Sequence, residues 1–111
     1  MTTFDKRKDA FENKFAHDAE LRFKAEARRN RLLGLWAAGL MGKAGADAEA
    51  YAREVVESDF AEAGDEDVFR KIRGDFDAAG ISQSDHQIRR QMDDLLSQAV
   101  AQVSSEGTGR G

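Results

Sequence analysis

The chain contains no cysteine and no proline. Without cysteine there can be neither a disulfide nor a thiolate metal site, so packing alone must hold the fold, and the chain suits a reducing compartment. Without proline, no position forces a helix to kink or to stop. Long apolar runs are also missing. The longest, Leu32 to Met41, is interrupted by Gly34 and Gly39 and falls well short of the roughly 20 residues needed to cross a bilayer. The first residues carry Asp5, Lys6, Arg7, Lys8 and Asp9 with no apolar run behind them, unlike a secretory signal, so a cytoplasmic location and no membrane insertion are expected. An excess of positive charge is lacking too: the net charge is −4, which disfavours a nucleic-acid partner.

What is present favours helix. Charged residues make up 34% of the chain, and alanine, leucine, glutamate and arginine are plentiful, a composition of good helix formers with little that favours strand. At 111 residues there is material for one core. The charge is unevenly spread. Residues 19–42 carry Arg22, Lys24, Arg28, Arg29 and Arg31 against Glu20 and Glu26, whereas residues 43–80 carry five bases against eleven acids. A basic first helix beside an acidic middle implies internal complementarity as readily as an external partner.

Spacing and punctuation predict an all-α, compact four-helix bundle spanning residues 18–103. The first helix covers about 18–41, capped by Asp18, with Leu21, Ala25, Leu32, Leu35, Trp36 and Gly39 as its apolar stripe and Gly42 as its stop. The second covers about 47–63, capped by Asp47, with Tyr51, Ala52, Val55, Val56 and Phe60 inward and Gly64 after it. The third, 66–79, has acids in its first turn facing the helix dipole, Val68, Phe69, Ile72 and Phe76 on its apolar side, and Gly80 at its end. The fourth, 83–103, starts at a capping-box-like Ser82/Asp85 pair and carries Ile88, Met92, Leu95, Ala99 and Val103 on one face. Residues 104–111, rich in Ser, Gly and Thr, are expected to form a frayed tail. Gly34 and Gly39 are either weak spots or places of close helix approach, and beside Trp36 close approach is favoured.

Residues 1–17 stand apart. Phe4, Phe11 and Phe15 fall within about 40° of one another if the segment is helical, and about 90° from the stripe of the first helix if that helix continues unbroken. Burying three phenylalanines does not offset the ordering of a dozen backbones. The segment is therefore expected to be flexible alone and to become helical in a partner's groove. The alternative is that its phenylalanines tuck onto the bundle.

Chemistry-bearing patterns are weak. His17 and His86 are far apart and lack metal-ligand spacing. Gly42-Lys43 resembles a phosphate loop only superficially, since Ala37 and Ala44 stand where that loop needs Gly and Ser or Thr. The acids between Asp59 and Asp67 lack the alternation and central glycine of a calcium loop. Arg28-Arg29-Asn30-Arg31 could grip phosphate or a partner's carboxylates, but arginines on a helix surface usually pair with the protein's own acids, and Trp36, Tyr51 and Phe76 read as core. No cofactor, metal site or catalytic residue is expected.

The run FDKRKDAFENKFAHDAELRFKAEARRNRLLGLWAAGLMG, residues 4–42, resembles the zeta-type ATPase inhibitor family of alphaproteobacterial F-type ATP synthases. The blocks AFENKFAHD and ARRNRLLGLWAAGLMG carry the resemblance most specifically, and the remaining helices are similar in length and spacing. The resemblance implies an inhibitor that is not an enzyme. Its N-terminal segment would turn helical on entering the catalytic head, between catalytic and non-catalytic subunits near the rotor stalk, and block hydrolytic rotation. On this chain it implies Phe4, Phe11 and Phe15 as anchors and Arg7, Lys8 and Lys14 as polar contacts, with the bundle as a platform on the head. The protein would be cytoplasmic, peripheral to the inner membrane through the synthase. An assembly factor or adaptor using the same segment is the alternative.

Overall fold

A computed structural model describes residues 19–59 and 65–108. Four helices make up the chain there: α1 (Ala19–Leu40), α2 (Gly45–Ser58), α3 (Glu66–Ala79) and α4 (Asp85–Thr108). Successive helices run antiparallel. Glu54 meets Lys71 and Tyr51 meets Asp75 across α2 and α3, while Arg73 meets Asp85 and Arg89 meets Glu66 across α3 and α4. The main core gathers Leu33 and Ala37, Tyr51 and Val55, Val68, Ile72 and Phe76, and Ile88, Met92 and Leu95, drawing on all four helices. Burying each large apolar side chain of this set stabilises the fold by about 1.5–3 kcal/mol.

The apolar sides expected for α3 and α4 are buried at every position: Val68, Phe69, Ile72 and Phe76, and Ile88, Met92, Leu95, Ala99 and Val103. The end of α3 follows from Gly80, whose φ of 72° is costly for a residue with a Cβ. It lets the Ile81 N–H reach the Phe76 carbonyl at 2.9 Å and the Gly80 N–H reach Asp77 at 3.3 Å, a Schellman closure. Ile81 then packs on the core.

Three expectations need correcting. The first concerns caps. α4 begins at Asp85, and its capping box is Ser84 with Gln87: Gln87 N–H donates to Ser84 Oγ at 3.1 Å and Ser84 N–H to Gln87 Oε1 at 2.8 Å, so Ser82 and Asp85 do not form it. α2 begins at Gly45, leaving Asp47 in its first turn, and it ends at Ser58. Asp18, Phe60 and Gly64 lie outside the described residues.

The second concerns α4, which continues to Thr108, five residues past its expected end. The third concerns α1, whose buried positions are Ala25, Arg29, Asn30, Leu33, Gly34, Ala37 and Ala38. Leu21, Leu32, Leu35 and Trp36 are only half-buried and Gly39 is exposed. α1 packs against all three other helices, most extensively α2 and α4, so it buries a broad face rather than a narrow stripe. At 100° per residue that face centres about 50° from the direction of Phe4, Phe11 and Phe15, nearer than the apolar stripe implied. The directional argument for setting those phenylalanines apart from the seam therefore falls away.

Gly34 is where α1 and α2 touch most closely. A Cβ there would stand 2.6 Å from the Cα of Ala52, a backbone atom that cannot swing aside. Gly34→Ala should therefore cost about 1–3 kcal/mol through forced separation of the helices. Gly39 has no neighbour within 4 Å, so it marks no close approach, and Gly39→Ala should stabilise by about 0.5 kcal/mol through helix propensity. Urea unfolding of the two variants checks the contrast, and equal midpoints would contradict it.

Candidate partner-binding site

The residues that the sequence singles out for partner binding, Phe4, Arg7, Lys8, Phe11, Lys14 and Phe15, lie outside the described residues. The structure describes the place where that segment joins the bundle, the first turns of α1. Arg22 pairs with Glu26 at 3.1 Å and Lys24 with Glu20 at 3.4 Å, both one turn apart and largely exposed, which supports the helix by a few tenths of a kcal/mol each. Leu21 and Ala25 face α4 and form a satellite cluster with Val100 and Val103, separate from the main core. Phe23 is 59% exposed. It lines a shallow groove between α1 and the end of α2 together with Glu26, Ala27, Asn30, Val56 and Asp59.

Beneath this groove lies a polar network. Arg29 is only 4% exposed. Its Nε donates to Asn30 Oδ1 at 2.6 Å, Asn30 Nδ2 donates to Asp59 Oδ2 at 3.0 Å, and Arg29 Nη1 stands 3.8 Å from Asp65 Oδ2. The network ties α1 to both ends of the α2–α3 connection. Asp59 Oδ1 is buried and has no hydrogen-bond partner among the described residues. Burial raises the Asp59 carboxyl above the ordinary aspartate range; Asn30 and Arg29 oppose the shift, and Glu26 and Asp65 add to it. Sequence reading placed Arg29 and Asn30 on a solvated surface. The signal that would have found them is helical spacing, Arg29 four residues before Leu33 and Asn30 three before Leu33 and four before Gly34, obscured because an arginine run looks like an outer face.

The sign of the pH effect follows. A carboxyl whose folded pKa is raised favours the fold when protonated, a contribution fully present below its unfolded pKa and lost as pH rises through the folded value. Asp59→Asn removes the ionised form. Its melting temperature relative to the parent should therefore be highest above the folded pKa of Asp59 and should approach the parent's as pH falls to the ordinary aspartate value. A difference that does not vary with pH would contradict this.

The remaining polar clusters are internally matched. Tyr51 donates to Asp75 Oδ2 at 2.7 Å, and Lys71 bridges Asp75 and Glu54 at 3.1 Å each while lying 5.2 Å from the centre of the Tyr51 ring. Burial, followed by the bond to Asp75, pushes the Tyr51 phenol well above its ordinary value. Arg73 joins Asp77, Asp85 and the Gln83 carbonyl, stapling the α3–α4 turn. Arg89 stacks 4.0 Å from the centre of the Phe69 ring and pairs with Glu66. Arg29 and Arg31 pair with Asp65 and Glu49 of the acidic middle, and Arg28 pairs with Glu106 of α4. His86 is exposed. Among the described residues no group of three or more His, Cys, Asp or Glu could hold a metal ion, and no helix is long and apolar enough to cross a membrane.

A solved structure determined by solution NMR is similar to this chain, with 49% sequence identity, a TM-score of 0.69, and an alignment covering 78% of this chain and 98% of that one. No curated protein matches. The family model described as ATPase inhibitor subunit zeta matches residues 1–102.

Proposed function

From the premise that the chain belongs to the family of ATPase inhibitor subunit zeta, we propose that it inhibits the F-type ATP synthase by inserting residues 1–17 into the catalytic head. The segment turns helical between catalytic and non-catalytic subunits near the rotor stalk and blocks hydrolytic rotation. Phe4, Phe11 and Phe15 anchor it in apolar pockets, and Arg7, Lys8 and Lys14 meet polar groups of the head. The bundle rests on the outside of the head as a platform. The protein acts without catalysis of its own, in the cytoplasm at the inner face of the membrane that holds the synthase.

The observation that carries this reading is the family match, which begins at residue 1 and so includes the segment. Physical chemistry supplies the division of labour. The described cores are built from α1 to α4, while three phenylalanines at helical spacing interleaved with bases form an amphipathic element suited to a groove. Phe11→Ala combined with Phe15→Ala tests it by removing apolar contact while leaving Arg7, Lys8 and Lys14. ATP hydrolysis by a purified synthase head should then need at least about tenfold more protein for half-inhibition, chiefly through faster dissociation. Unchanged inhibition would overturn the anchoring role, and binding of the parent chain without any slowing of hydrolysis would identify an adaptor.

A further inference from the structure

α1 is attached in two parts. From Arg29 onward the main core and the Arg29–Asn30–Asp59 network hold it. Ahead of Arg29, its first turns rest on the last turns of α4. Leu21 and Ala25 pack on Val100 and Val103. Arg28 grips Glu106 with both terminal nitrogens, Nη2 donating to Oε1 at 2.9 Å and Nη1 to Oε2, while Nη1 also lies 3.4 Å from Gln102 Oε1. A guanidinium closed on both oxygens of one carboxylate fixes orientation as well as distance.

Propensity does not explain why α4 reaches so far, since Ser104, Ser105 and Gly107 are indifferent to poor helix formers. The contact with Arg28 does supply a reason. Val103 and Glu106 also lie beyond the residues that the family model matches. Residue 18 is bonded directly to Ala19, so residues 1–18 depart from the turns that these contacts hold.

We propose that the last turns of α4, Val103 to Glu106, form a positioning clamp for the inhibitory segment. They hold the first turns of α1 in helical form and fix the direction in which residues 1–18 leave the bundle. The proposal rests on the reading of residues 1–17 as the inhibitory element. A segment that folds on binding then extends an existing helix and avoids the cost of a new nucleus. If the first turns of α1 are frayed, they too must be ordered at the moment of binding, and affinity falls.

The test compares full-length Glu106→Arg with the charge-swapped pair Arg28→Glu, Glu106→Arg, using amide hydrogen exchange and inhibition of ATP hydrolysis together. Glu106→Arg should accelerate exchange at the amides of Leu21 to Ala27, leave those of Leu33 to Ala38 unchanged, and raise the half-inhibitory concentration about fivefold. The swapped pair should restore both. Faster exchange with unchanged inhibition, or restored exchange without restored inhibition, would overturn the positioning role. A chain lacking residues 1–16 that still inhibits would instead remove the reading on which the clamp rests, and the clamp with it, whatever the exchange result.

Discussion

Replacing Trp36 with alanine should lower the stability of the bundle by about 3 kcal/mol. Trp36 sits on the edge of the broad buried face of α1, half-buried, and packs against the main core. Its ring meets that of Phe76 edge-on, with centroids 5.6 Å apart and planes at 66°, an arrangement worth about 0.5–1.5 kcal/mol beyond area burial. Phe76 is itself fully buried, so truncating the indole opens one side of a core residue to solvent. The exposed part of the ring keeps the loss toward the lower end of the range for large-to-small aromatic changes. For a domain this small the melting temperature should fall by about 10–20 °C. An unchanged melting temperature would show that Trp36 contributes little to packing and would point to a binding role for it.

How much was legible in the sequence depended on how far round each helix its buried face spreads. α3 and α4 each bury a narrow face, and such a face writes a clean period of three and four: Val68, Phe69, Ile72 and Phe76 on one, Ile88 through Val103 on the other. α1 packs extensively on both α2 and α4, so its buried positions spread round much of the circumference. They are filled by Leu33, by Ala25, Gly34, Ala37 and Ala38, small enough for close approach, and by Arg29 and Asn30, which are bonded to each other and to acids of the α2–α3 connection. Apart from Leu33, its larger apolar side chains near the core, Leu32, Leu35 and Trp36, stand at the margins. A search for large apolar residues at helical spacing therefore finds the edge of that face instead of its centre.

The start of α4 was ambiguous for a different reason. Ser82 with Asp85 and Ser84 with Gln87 are overlapping boxes of similar form, and the Schellman closure at Gly80 and Ile81 decides between them by leaving residues 82–84 as the connection. The reach of α4 to Thr108 goes with a tertiary contact between Glu106 and Arg28, to which local composition is blind. Arg29 was missed as a buried residue, and Asp59 as a half-buried one with a buried oxygen, because charge along the chain carries no mark of burial. The segment proposed as inhibitory was singled out by resemblance together with the phenylalanine spacing. Its target comes from the family alone.

Deleting residues 1–16 separates the two halves of the functional account and tests it most directly. The measurement is ATP hydrolysis by a purified F-type synthase head, titrated with the full chain and with the chain lacking residues 1–16, alongside the melting temperature of each. The described cores draw on α1 to α4, so the truncated protein should melt within a few degrees of the parent. The account predicts that the full chain inhibits and that the truncated one, still folded, does not at any concentration at which the parent saturates. Full inhibition by the folded, truncated protein would place the working element on the bundle and contradict the account.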